Sequence, residues 1–154
     1  METLEPILAE HPFLQGLDQS VLALIVGCAS NARFDAGQYL YREGEEASEF
    51  YIIRQGLVSI EIHVPERGSV TLQTVATGGI VGWSWVFPPY HWHSDARAVE
   101  QTRAIALDGA CLRMKCDETP AVGYELMKRF ARVLDDSLHA SRLQLLDVYG
   151  SARR

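Results

Sequence analysis

Residues 34–62 read FDAGQYLYREGEEASEFYIIRQGLVSIEI, and the alternation at their end decides the fold. In GLVSIEIHV, Val58, Ile60, Ile62 and Val64 point one way, and Ser59, Glu61 and His63 the other. That is the period-two pattern of a half-buried strand. EFYIIRQG precedes it, with Gly56 at a tight connection, so 50–64 reads as a β-hairpin. Moving outward, SVTLQTVATGG is a further strand entering a glycine turn. RAVEQTRAIAL supplies two short strands around Glu100 and Gln101. Glycines and turn signals recur at 37, 44, 68, 78, 79, 82 and 109. Short strands at this spacing predict an antiparallel sandwich or barrel over 32–113.

The flanks follow a helical period. Residues 1–31 predict two short helices: Leu4, Ile7 and Leu8 share one face, and Asp18 is placed to cap VLALIVGCA, which stops near Asn31. The segment 114–150 is the C-terminal helical part. From Pro120 to Tyr149, Val122, Leu126, Phe130, Val133, Leu134, Leu138, Ser141 and Leu145 recur at threes and fours. A helix of that length is roughly 45 Å long. Its far end must fold back on the barrel or pair with a second subunit. One mainly β domain with flanking helices accounts for all 154 residues.

A net charge of -6 gives no global attraction for nucleic acid. Lys128, Arg129, Arg132, Arg142, Arg153 and Arg154 make the last helix partly basic, but Glu125, Asp135, Asp136 and Asp147 offset them. The apolar runs are too short to span a bilayer, and METLEPILAE lacks the pattern of a secretory signal. Cys28, Cys111 and Cys116 are an odd set without paired spacing. They read as buried small residues in a reducing compartment, hence a cytoplasmic protein.

Several features in order resemble the cyclic-nucleotide-binding domain, the sensory module of cAMP-receptor-type regulators and of cyclic-nucleotide-gated channels. They are Gly37 before the strand 38–41, the Glu43-Gly44-Glu45 turn, the hydrophobic strand 50–53, Gly56, the Gly78-Gly79 and Gly82 set, and Ala96. The resemblance covers nearly the whole chain. It implies an eight-stranded double-stranded β-helix (jelly roll) with a ligand-cradling helical turn between two strands. It also implies no catalysis, regulation by a small molecule transmitted through the last helix, and a homodimer through helix 120–149. The cAMP-receptor-type regulators continue into a helix-turn-helix. With this sequence reaching only Arg154, a DNA-reading module is not expected here.

The cradle itself departs from the family pattern. Nucleotide-binding members open it with Gly-Glu and close it with Arg-Ser/Thr-Ala. Here the corresponding residues are Gly82-Trp83 and Ser94-Asp95-Ala96. Trp83 accepts no hydrogen bond from a ribose hydroxyl. Ser94 brings no positive charge, and Asp95 would set a negative charge toward a negative phosphate. Arg97 is the nearest arginine and shares a strand face with Asp95, its expected partner.

The candidate site is therefore the run VGWSWVFPPYHWHSDARAVE, residues 81–100, which holds all three tryptophans. Gly82, Trp83, Ser84, Trp85, Ser94, Asp95 and Ala96 form a degenerate cradle, with Trp92 as a stacking surface. Two outcomes follow from it. Either the turn still presents N–H groups to a small molecule of unknown identity, a cyclic nucleotide included, or the tryptophans fill the cavity and leave a ligandless interaction and dimerisation module. His91 and His93 form an HxH pair like that of the metal-binding cupins. The next glutamate, Glu100, and the next histidine, His139, lie too far along to complete such a site, so no cofactor is expected. GWSWV is not a nucleophile elbow.

Overall fold

The computed structural model describes residues 4–152; the expected basic pair Arg153 and Arg154 lies outside them. Two short helices, α1 (Glu5–Glu10) and α2 (Gln19–Val26), lead into eight strands. These are β1 (Ala29–Phe34), β2 (Tyr39–Tyr41), β3 (Glu49–Gln55), β4 (Leu57–Val64), β5 (Gly68–Ala76), β6 (Ile80–Val81), β7 (Asp95–Ala98) and β8 (Thr102–Asp108). Helices α3 (Gly109–Glu118) and α4 (Pro120–Ala152) follow. The strands form two four-stranded antiparallel sheets, ordered β1-β8-β3-β6 and β2-β7-β4-β5. This is the jelly roll that the sequence implied.

Alternate residues of β3 and β8 serve two cores. Phe50 and Ile52, with Ile105 and Leu107, face a layer made by Leu8, Leu22, Ile25, Leu112, Leu126 and Phe130 of the helices. Tyr51 and Ile53, with Ala104 and Ala106, face the inside of the roll. Ala96 and Ala98 of β7 also point inside.

Four local expectations are corrected. The strands 50–55 and 57–64 do not pair as a hairpin but lie in opposite sheets. Gly56 (φ 133°) makes the corner, where any Cβ would lie 2.7 Å from the Thr102 Cα. The hairpin is instead β4–β5. Helix α2 stops at Val26, and Ala29–Asn31 is already strand, because β8 supplies it with a partner. Asp18 holds the N-cap position, but its carboxylate accepts from the Ser20 hydroxyl at 3.1 Å rather than capping a backbone N–H. Helix begins again at Gly109, not 114, because the Asp108 carboxylate caps the Cys111 N–H at 2.8 Å.

The cysteines differ most from expectation. Cys28 and Cys111, 83 residues apart, form a disulfide with a Cα–Cα distance of 5.7 Å. Ala29 pairs with Leu107, so Cys28 sits just before one strand and Cys111 one turn beyond its neighbour. Cys116 is free and half-buried. No described helix is long and apolar enough to cross a membrane.

Candidate functional site

Strand β6 runs into Gly82, which adopts φ 96°. A Cβ there would lie 2.6 Å from the Trp92 ring, so glycine answers both a left-handed backbone and a close aromatic neighbour. The chain then makes a single turn, closed by the Val86 N–H donating to the Trp83 carbonyl at 3.2 Å. A cis Pro88-Pro89 bond follows, and the chain returns through His91–Ser94 into β7. The return is pinned to the 42–46 turn: the Trp92 N–H donates to the Glu45 carbonyl at 3.0 Å, and the Gly44 N–H to the Trp92 carbonyl at 2.9 Å.

The three tryptophans part company. Trp85 is 1% exposed, stacked on Phe50 at 5.4 Å and set edge-on to Phe130. It belongs to the helix-side core and does not line the cradle, and its Nε1 has no hydrogen-bond partner. Trp92 stacks on Tyr41 at 3.7 Å, within 10° of parallel, and walls the cradle from inside. Trp83 is half-buried on the same wall. Room is left between them: a cavity of about 390 Å³ is lined by Tyr41, Trp83, Trp92, Ser94, Ser137 and Ser141 among others.

Of the expected cradle residues, Gly82, Trp83, Ser84, Trp92 and Ser94 line this space, while Trp85, Asp95 and Ala96 do not. Ala96 is fully buried in the inner core. Asp95 turns away, accepting the Glu43 N–H at 2.7 Å and lying 3.6 Å from the Arg42 guanidinium. Arg97 does not pair with Asp95. It forks onto Glu61, with Nε donating to Oε1 at 3.2 Å and Nη2 to Oε2 at 2.8 Å, while the Ser59 hydroxyl also bonds the carboxylate at 3.0 Å. The Arg97 hydrogen bond holds the Glu61 carboxyl below its ordinary range. Ser59 stands opposite Arg97 across the sheet, so Glu61 is diagonal to it on the same face, within reach of a long side chain. Arg42 and Arg97 are thus engaged outside the cavity, and Arg113 donates to the Trp85 carbonyl within the turn.

Among the described residues no Asp, Glu, Lys or Arg lines the cavity. Burial pushes the Tyr41 phenol well above its ordinary range, so it remains a neutral hydrogen-bonding group. His91 and His93 are both exposed; His93 lines the cavity, whereas His91 bridges to Glu46 through the backbone. Among the described residues no three His, Cys, Asp or Glu groups stand where they could share a metal.

Sequence reasoning missed the far wall. It comes from α4: Ser137, Leu138, Ser141 and Gln144. The available signal was the set of polar residues that interrupt the apolar stripe, since positions 137, 141 and 144 fall on one helix face. Helix α4 is placed there by Leu126 and Phe130 in the core. The Arg129 guanidinium also donates to the Phe13 and Gln15 carbonyls at 2.8 and 3.0 Å.

Comparison with known proteins agrees with this architecture. The family model described as cyclic nucleotide-binding domain matches residues 32–119, and the chain belongs to that family. It is 27% identical over 131 residues to the CRP-like cAMP-activated global transcriptional regulator of Mycobacterium tuberculosis, covering 85% of this chain and 58% of that protein. The chain therefore spans little more than half of that regulator. A candidate cyclic nucleotide-binding protein from Geobacter metallireducens superposes with a TM-score of 0.79 at 27% identity, over 90% of this chain and 100% of that one. A cyclic nucleotide-binding domain from Methylobacillus flagellatus gives 0.83 at 16% identity, over 96% and 86%.

Proposed function

We propose that this chain is a non-catalytic regulatory domain whose cradle does not hold cyclic nucleotides in the family's usual way. The observation that carries the reading is that, among the described residues, neither lysine nor arginine lines the cavity wall, with Arg97 held by Glu61 on the outer face of its sheet. A cyclic phosphate entering the cavity would lose its water without gaining a charge-assisted partner, a cost of several kcal/mol. Trp83 in place of the usual glutamate removes the ribose contact as well. The signal would pass through α4, which closes the cavity with Ser137, Ser141 and Gln144. The domain would make no nucleic-acid contact of its own, in keeping with its net charge of -6, whereas the Cys28–Cys111 disulfide removes the cysteine argument for a reducing compartment.

A thermal melt with millimolar cAMP or cGMP tests this. A micromolar ligand at that excess stabilises by about 4 kcal/mol. No shift is expected from either nucleotide, and a rise of several degrees would overturn the reading.

The exposed distal part of α4 favours one addition. Leu138, Leu145, Leu146 and Tyr149 are each at least half exposed. An apolar stripe of that kind fits a homodimer through helix 120–149.

A further inference from the structure

We infer that the cavity beneath α4 takes an uncharged, ring-bearing small molecule, an inference that rests on the regulatory reading above and gives its site a ligand class. The cavity measures about 390 Å³, within the range that encloses a compact organic ligand. Its wall carries the rings of Trp83 and Trp92, and one face of Trp92 is stacked on Tyr41. Its polar groups are the hydroxyls of Tyr41, Ser84, Ser94, Ser137 and Ser141, the amides of Gln73 and Gln144, and the His93 imidazole, which when neutral serve an uncharged ligand as donors and acceptors. Among the described residues the wall carries no Asp, Glu, Lys or Arg, its one ionisable group besides the Tyr41 phenol being the His93 imidazole, and Arg42 and Arg97 are engaged by Asp95 and Glu61. Aromatic faces with neutral hydrogen-bonding groups and no ion pair select flat, uncharged molecules over phosphates and carboxylates. Because α4 supplies one wall, such a ligand touches the barrel and the helix together.

The test compares two fluorophores of one ring framework, uncharged phenylnaphthylamine and its sulfonated counterpart anilinonaphthalene sulfonate, on the full chain. It is run at about pH 8, where an ordinary histidine is neutral. The neutral probe is expected to bind one site per chain at least about tenfold more tightly than the sulfonated one, the size of effect a lost charge compensation gives. Ser141→Trp, which fills the cavity from an exposed position on α4, is expected to weaken the neutral probe by a similar factor. Ser94→Arg, which adds the missing cation, is expected to strengthen the sulfonated probe. Equal or tighter binding of the sulfonated probe to the unmodified chain overturns the inference. So does neutral-probe binding that Ser141→Trp leaves unchanged. Failure of both probes, in a protein that also ignores cAMP, overturns this inference and leaves the regulatory reading standing. Tight cAMP binding removes both.

Discussion

Gly82 and Trp92 show how single residues set the site. The glycine must be glycine because the chain turns left-handed against an indole ring, and the indole is held by Tyr41. His11 is a second residue with a definite consequence. It is 8% exposed, with Nε2 3.1 Å from the Ile53 carbonyl and the Phe13 N–H 3.2 Å from Nδ1. A carbonyl only accepts, so Nε2 carries the proton and Nδ1 is the acceptor. Burial lowers the His11 pKa from its ordinary value. The unfolded chain therefore takes up a proton at higher pH than the folded one. The stability this neutral histidine contributes is complete above the unfolded value of about 6.5 and is lost as pH falls toward the folded value. Denaturant melts at about pH 7 and about pH 5 are expected to differ more for the native chain than for His11→Asn. Equal slopes would contradict this assignment.

The elements differ in how openly the sequence declares them. Helix α4 follows from its three-four period and β4 from its alternation, although Ser59 and Glu61 on the expected polar face of β4 are buried, where Arg97 engages the Glu61 carboxylate. The pairing of β3 follows from neither. Phe50–Ile53 is buried on both faces, so its sequence carries no sidedness, and the sheet change at Gly56 looks like a hairpin turn. The substitutions at Gly82-Trp83 and Ser94-Asp95-Ala96 were readable, but the direction of Asp95 and the capture of Arg97 by Glu61 depend on partners 52 and 36 residues away. The Cys28–Cys111 disulfide was invisible for the same reason, since β1–β8 pairing creates it. It ties the end of α2 to the first turn of α3. On chain-entropy grounds, closing a loop of this length contributes about 4.5 kcal/mol at most. Cys111→Ser, or full reduction, is expected to lower the unfolding free energy by about 2–4 kcal/mol. An unchanged denaturation midpoint on reduction would show that the bridge adds nothing to folding.

At the scale of the whole molecule, α4 joins three roles. Its first half is core, through Val122, Leu126 and Phe130. Its middle walls the cavity, and its last turns expose Leu145, Leu146 and Tyr149. Those 33 residues, about 50 Å of helix, extend beyond the roll that anchors them. If the exposed stripe is a dimer seam, Leu146→Glu should convert the dimer to monomer in light scattering, with the roll still folded. A native chain that is monomeric at high micromolar concentration would remove the seam. The central claim concerns the cavity, where a family fold meets a wall without a cation. Isothermal titration calorimetry of the full chain with cAMP tests it most directly. The account predicts no saturable heat up to roughly 100 μM, because the phosphate finds no charged partner. One-to-one binding at micromolar affinity or tighter would contradict it.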